Sequence, residues 1–111
     1  MPEIDPNIWP RWILSLLRDC HWGLGERQII AYLAQAHRTG GRDALVKAWL
    51  KSLQATGLIS KVLKHGTTGD IVLPGEVALK NPYFVYKITE KGNAWLYHVE
   101  LGQNSAQTRT D

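Results

Sequence analysis

The chain has 111 residues, 44% of them apolar and 21% charged, which suffices for one globular domain and leaves little for a second. It has no apolar run of the roughly 18 residues that a membrane-spanning helix needs, and its N-terminus lacks the basic and apolar regions of a signal peptide. The single cysteine, Cys20, excludes an intramolecular disulfide and a zinc site built from several cysteines, and it fits a cytoplasmic location.

The net charge of +3 is distributed unevenly along the chain. Residues 26–65 hold seven basic and two acidic side chains, whereas residues 1–25 and residues 66–111 each have a net charge of −1. A basic middle segment on a nearly neutral chain favours a surface that binds a polyanion. The alternative for the same charges is a basic surface that only contacts solvent.

Three helices are predicted in the first half of the chain, over residues 8–21, 26–37 and 42–56. In each of them apolar residues recur at spacings of three and four, which is typical of a helix with one buried side. Pro10 is expected in the first turn of the first helix, where its missing N–H is tolerated. Gly57 is expected to follow the third helix with a positive φ angle.

Two strands follow in the prediction. Residues 59–64 nearly alternate between apolar and polar, and residues 83–88 are rich in aromatic and β-branched side chains. The long connection between them contains turn signals and two short apolar runs, 71–73 and 76–79, that are candidates for extra strands. The predicted core contains Trp12, Ile13, Leu16, Leu17, Ile30, Leu33, Leu45, Trp49, Leu53, Leu58 and Ile88.

A last helix is predicted to begin with Thr89 as its N-cap and to continue to about Leu101. Gly92 is expected to weaken its start by roughly 1 kcal/mol relative to alanine. Residues 1–7 and 102–111 have few apolar residues and no periodicity, so both ends are predicted to be flexible and the domain to span residues 8–101.

Two motifs carry a resemblance to a known superfamily. The first contains Val46, Trp49, Leu50 and Leu53 and ends in Gly57-Leu58-Ile59. The second is Tyr86-Lys87-Ile88-Thr89-Glu90-Lys91-Gly92. In this order they resemble the end of the recognition helix and the exit from the wing in winged helix-turn-helix regulators of the PadR and MarR types.

The resemblance implies an α+β winged helix with a three-helix core, a β-hairpin wing with a long loop, and a C-terminal helix. It also implies sequence-specific binding of double-stranded DNA by a small prokaryotic or phage transcriptional regulator, with the third helix in the major groove. Residues 60–88 are longer than a minimal wing needs, and the long C-terminal dimerisation helix of the larger members is not predicted here.

The candidate DNA contacts lie on the outward side of the third helix, at the helix termini and on the wing. They are Gln28, Arg38, Thr39, Arg42, Lys47, Lys51, Gln54, Lys61, Lys64, His65, Thr67 and Thr68. A homodimer is expected because palindromic DNA sites need two-fold symmetric proteins, and an exposed aromatic patch of Trp9 and Trp95, with Leu101, is its candidate contact.

Other functions find less support in the sequence. The four histidines show no spacing typical of metal ligands on one helix, so no metal, no cofactor and no enzymatic activity are predicted. Cys20 falls on the apolar side of the first helix, where a cysteine is more often a packing residue than a nucleophile. The alternative to DNA binding is a winged-helix module that binds another protein within a larger complex.

Overall fold

The computed structural model describes the backbone of residues 8–109 and the side chains of residues 8–101. In chain order it contains α1 (Ile8–Asp19), α2 (Glu26–His37), α3 (Asp43–Ala55), β1 (Ile59–Lys64), β2 (Tyr83–Ile88) and α4 (Glu90–Arg109). The predicted α+β order of three helices, a hairpin and a last helix is confirmed. The predicted flexible segment 1–7 lies outside the described residues.

Helix α1 supplies the centre of the core. Ile13, Leu14 and Leu17 are fully buried, because positions 13 and 17 lie one turn apart and position 14 lies beside them. Trp12 and Leu16, predicted as core, are partly buried at the edge of this cluster. Leu14 is missing from the predicted core, which took positions 12, 13, 16 and 17 from this helix. The fully buried stripe is centred on positions 13, 14 and 17.

Helices α2 and α3 pack on α1 through the sides that their spacing predicts. The fully or nearly fully buried residues of these two helices are Ile29, Leu33, Val46, Leu50 and Leu53. The prediction of Leu45 as a core residue is wrong, since this side chain is 37% exposed. Each helical residue turns the side chain by about 100°, so Leu45 lies well off a face centred on positions 46, 50 and 53.

The hairpin is a two-stranded antiparallel sheet in which Ile59 pairs with Ile88 and Lys64 pairs with Tyr83. The α1–α2 loop joins its edge, because the N–H of Leu24 donates to the carbonyl of Tyr86 at 3.1 Å and the N–H of Tyr86 donates back at 2.7 Å. Gly23 makes this approach possible: it has a φ of +92°, and a Cβ there would lie 2.7 Å from a methyl group of Val85.

Residues 65–82, here called the wing loop, join the two strands. The two extra strands predicted within it do not form among the described residues, and Ile71 makes only an isolated bridge to Lys64. The loop instead folds on itself: the N–H of Gly66 donates to the carbonyl of Leu79 at 2.9 Å. A Cβ on Gly66 would lie 1.7 Å from the carbonyl oxygen of Lys80, so only glycine fits this close approach.

The start of α4 is tied to the end of α3. The hydroxyl of Thr89 lies 2.7 Å from the carbonyl oxygen of Gly57 and accepts the N–H of Gly92 at 3.0 Å, which confirms Thr89 as the cap. The ammonium group of Lys91 donates to the carbonyl of Thr56 at 2.9 Å. Helix α4 then continues to Arg109 instead of ending near Leu101, so the backbone of residues 102–109 is helical where a disordered tail was predicted.

Helix α4 completes the domain by packing along α1. Leu96 is fully buried in the common core, and the guanidinium of Arg18 binds the carboxylate of Glu100 at 3.1 Å. Among the described residues no helix is long and apolar enough to cross a bilayer.

Candidate nucleic-acid interface

The outward side of α3 presents a row of exposed polar side chains. Lys47, Lys51 and Gln54 are exposed, and they lie along one flank of the buried stripe of Val46 and Leu50, with Lys51 turned furthest away from it. Lys47 and Lys51 are one turn apart, so both ammonium groups belong to one face. The role of α3 as a recognition helix stays a prediction.

The turn between α2 and α3 places two guanidinium groups beside the start of α3. Arg38 ends α2 with a left-handed backbone (φ 55°, ψ 47°), and Arg42 is the N-cap residue of α3. The N–H of Arg42 donates to the carbonyl of Thr39 at 3.1 Å, which closes the turn. Both arginine side chains are exposed, and their contact with DNA stays a prediction.

Thr39 itself does not fit that role. The residue is only 6% exposed, so the prediction that it contacts phosphate on the surface is wrong. Among the described residues its Oγ1 is buried without a hydrogen-bond partner. The residue types of a polar turn gave no signal of this burial.

The start of α2 forms the second edge of this surface. The side-chain oxygen of Gln28 accepts the N–H of Gly25 at 2.9 Å, so the residue stabilises the helix start and only its amide nitrogen remains to donate outward. Arg27 is exposed beside it and lines a cleft of about 410 Å³ with Lys47 of α3. Arg27 was not among the predicted contacts, although its position two residues after Gly25 marks it as a residue of the first helical turn.

The hairpin places its two predicted lysines differently. The ammonium group of Lys61 is exposed above the ring of Phe84, 4.6 Å from its centroid, and near Tyr86, which is a cation–π arrangement. The ammonium group of Lys64 donates to the backbone carbonyl of Trp22 at 2.6 Å, so it fastens the wing to the α1–α2 loop. Lys61 is therefore the better placed of the two for a nucleic-acid contact.

His65 lies inside the wing loop instead of on its surface. The residue is only 3% exposed, so its predicted contact with DNA is wrong. Its Nδ1 accepts the N–H of Leu79 at 2.9 Å, and its Nε2 is paired with a carboxylate oxygen of Glu76. The Nδ1 acceptor requires the proton to be on Nε2, which matches the carboxylate partner. Thr67 and Thr68 remain exposed at the tip, as predicted.

The predicted aromatic dimer contact is not an exposed patch. Trp9 and Trp95 are both partly buried against the core, and Trp9 packs edge to face on Trp12 at 5.3 Å. Among the described side chains of α4, the exposed large apolar ones are Tyr97 and Leu101, which are 61% and 48% exposed and lie one turn apart.

Cys20 and the candidate metal ligands were weighed in the sequence as possible catalytic groups. Burial, with a smaller effect of the Asp19 carboxylate, raises the pKa of the Cys20 thiol, so it stays protonated and weakly nucleophilic. Within residues 8–101 no group of three histidine, cysteine or carboxylate side chains is arranged to hold a metal ion.

The fold is similar to that of a solved PadR-like transcriptional regulator from Bacillus cereus strain ATCC 14579. The TM-score is 0.69 over 94% of this chain and 88% of that chain, at 17% sequence identity. This likeness confirms the winged-helix fold that the two motifs predict. No family model matches the chain, and no curated protein sequence matches it.

Proposed function

We propose that the protein is a DNA-binding transcriptional regulator that acts as a homodimer, with α3 in the major groove and the hairpin against the backbone or minor groove. The observation that carries the proposal is the exposed basic side of α3, flanked by Arg38 and Arg42 at its start. The similar Bacillus cereus protein is described as a transcriptional regulator, which supports the same class here.

The geometry suits one helix in one groove. The major groove of B-DNA is about 12 Å wide and admits a single α-helix. Residues near the helix start reach base edges, so Arg42 and Lys47 are assigned to guanine O6 and N7. Lys51 and Gln54, one turn or more further on, are assigned to the backbone at the groove edge.

Phosphate contacts are assigned to the exposed cations around that helix. Arg27 and Arg38 lie at the two ends of α2, and Lys61 lies on the hairpin with Thr67 and Thr68 at the tip beyond it. Each neutralised phosphate releases counterions, so binding weakens as salt increases. Four such cations per protomer, including Lys51, correspond to a slope of about −3 to −4 in log K against log salt.

The test is a fluorescence-anisotropy titration of duplex DNA at two salt concentrations, followed by a selection for the preferred site. Lys47→Ala is expected to cost roughly 1–3 kcal/mol on that site and to relax one base-pair preference. Lys51→Ala is expected to weaken all duplexes alike and to reduce the salt slope by about one unit. Lys87→Ala is the charge-matched control, because Lys87 lies on β2 beside Gly23 and is not among the assigned contacts. Properly folded wild-type protein that binds no duplex at low salt would refute the proposal.

The homodimer is proposed to form through α4, where Tyr97 and Leu101 are exposed on one side. A two-fold symmetric pair would read two half-sites about 34–36 Å apart. Light scattering at high micromolar concentration is expected to give twice the chain mass, and Tyr97→Glu is expected to return the monomer. A monomeric wild type would refute the dimer. DNA binding by one protomer would then be tested by the anisotropy titration alone.

The wing loop favours a second candidate function, a winged-helix module that binds another protein. Ile71, Leu73, Val77 and Leu79 are between 41% and 81% exposed, an unusual apolar content for a surface loop. If this function is the correct one, substituting the lysines of α3 leaves partner binding intact, and the protein shows no salt-sensitive affinity for duplex DNA. The anisotropy titration therefore separates the two candidates.

A further inference from the structure

A groove of about 330 Å³ lies between α1 and α2. The residues that line it recur at spacings of three and four on α1, so one side of that helix forms one wall. The lining residues are Trp12, Ser15, Leu16 and Asp19 of α1 and Tyr32, Leu33, Ala36 and His37 of α2. Small-molecule sites have volumes of about 300–1,000 Å³. This groove is at the lower end of that range, which suits a ligand with a single ring.

One end of the groove is aromatic and already ordered. The rings of Trp12 and His37 stack with centroids 3.9 Å apart, and this contact joins α1 to α2 at that end. Trp9 packs edge to face on the same indole at 5.3 Å. Two ring contacts hold the indole in place before a ligand arrives, which lowers the entropy cost of binding. Leu16 and Leu33 continue the apolar surface, so this end suits an aromatic ring.

The other end of the groove is negatively charged. Asp19 is the last residue of α1 and lies about 10 Å along the helix axis from Trp12. Among the described residues its carboxylate takes part in no ion pair, and the neighbouring Arg18 is bound to Glu100. The C-terminus of a helix repels a carboxylate, and a bound cation would relieve that repulsion. Tyr32 lines the same groove with an aromatic ring, which also attracts cations.

We propose that this groove binds an organic cation that carries an aromatic ring, in the simplest case an arylalkylammonium ion. The ring packs against Trp12 and Leu16, and the ammonium group pairs with Asp19. An anion is repelled by the carboxylate, and a neutral ligand of the same shape gains nothing from it. His37 lies beside Trp12, at the opposite end from the ammonium group, so a charge on the imidazole opposes the ligand only weakly.

The groove is separate from the surface assigned to DNA. None of its lining residues is among the assigned DNA contacts, so ligand binding is measured on the full chain without DNA. A failure of the proposed function therefore leaves this site untouched, and the reverse also holds.

Calorimetry with four matched ligands tests the charge and the ring. The probes are 2-phenylethylammonium, the neutral 2-phenylethanol, the anion 3-phenylpropanoate and the ring-free propylammonium. The first is expected to bind about three- to fivefold more tightly than the alcohol, which is the upper part of the range for an exposed ion pair. The other two are expected to bind more weakly than 2-phenylethylammonium. Equal affinities of the ammonium ion, the alcohol and the carboxylate, or no binding at millimolar concentration, would overturn the proposal.

Amide chemical shifts locate the bound ligand. On titration with 2-phenylethylammonium, the largest changes are expected in the backbone amides of residues 12–19 and 32–37. Larger changes elsewhere would refute the site. Changes in the same amides that follow the protein concentration and not the ligand would show that a second copy of the chain covers the groove, which also refutes it.

The Asp19→Asn variant tests the ion pair. It is expected to remove the advantage of the ammonium ion over the alcohol and to leave the affinity for the alcohol unchanged. Asp70→Asn is the matched control, because Asp70 is an exposed carboxylate of the wing loop and is expected to affect neither ligand. If folded Asp19→Asn keeps the preference for the ammonium ion, or weakens both ligands alike, the assignment of Asp19 is refuted.

The Ala36→Leu variant tests the groove itself. Ala36 is exposed on α2, and the added carbons of leucine occupy volume that the ring needs. Both the ammonium ion and the alcohol are expected to bind about fivefold more weakly or worse, because the ring loses its contacts with the wall. Unchanged affinities of folded Ala36→Leu would refute this groove as the binding site.

Discussion

Gly92 is the position where the sequence and the structure lead to opposite expectations. Helix propensity alone predicts that Gly92→Ala stabilises the protein by roughly 1 kcal/mol. In the structure a Cβ on Gly92 would lie 2.1 Å from the carbonyl oxygen of Leu58 and 2.8 Å from Cγ1 of Ile88. The backbone oxygen cannot move aside as a flexible side chain would, so α4 has to shift away from the hairpin.

That shift breaks a defined set of contacts. The N–H of Thr89 donates to the carbonyl of Leu58 at 3.2 Å, and the Thr89 hydroxyl lies 2.7 Å from the carbonyl oxygen of Gly57. Two hydrogen bonds at about 1 kcal/mol each, with about 1–3 kcal/mol for overpacking, outweigh the gain in propensity. We expect a net loss of about 2–4 kcal/mol in the free energy of unfolding.

Urea and thermal unfolding followed by circular dichroism measure this change. The expected loss corresponds to a fall in Tm of about 10 °C or more for a domain of this size. Gly40→Ala is the control, because a Cβ at Gly40 meets nothing within 4 Å. The control is expected to be neutral or slightly stabilising through the unfolded chain. A Gly92→Ala protein as stable as the wild type would show that this close approach does not hold α4 in place.

The remaining predictions concern the core, the wing loop and the thiol. Leu53→Ala is expected to cost roughly 2–5 kcal/mol in urea unfolding, because Leu53 is only 3% exposed, whereas Leu45→Ala should cost less than about 1 kcal/mol. Equal losses for the two variants would contradict the observed phase of α3. His65→Ala removes the partners of Glu76 and of the Leu79 N–H, so it is expected to speed proteolysis of the wing loop with little change in the main unfolding transition. A wing loop of unchanged protease resistance would exclude that role for the imidazole. Because burial, with a smaller effect of the Asp19 carboxylate, raises the pKa of the Cys20 thiol, its reaction with a disulfide reagent is expected to be slower at pH 8 than that of free cysteine. The reaction is expected to accelerate only at a higher pH than for free cysteine, where formation of the thiolate also destabilises the folded state. Reaction as fast as that of free cysteine at pH 8 would contradict the burial of the thiol.

The local residue pattern in the sequence was enough to predict the helices and the two hairpin strands. The periodicity of residues 26–37 and the composition of residues 59–64 and 83–88 agree with the bounds of α2, β1 and β2. These signals are local, because the spacing of apolar residues that is typical of a helix or a strand can be read from the sequence of that element alone. Gly57 adopts the expected positive φ of 81°, since the end of a helix needs a left-handed residue whatever surrounds it.

Only the tertiary structure decided how the side chains near the candidate sites are used. Thr39 and His65 look like polar loop residues in the sequence, yet the folded chain buries both of them. The stacking of Trp12 on His37 joins residues of different helices, and no local pattern encodes such a pair. Gly92 likewise looks like a weak point of a helix until the carbonyl of Leu58 is brought against it. Burial and close approach depend on which segments meet in space, whereas secondary structure follows largely from neighbours along the chain.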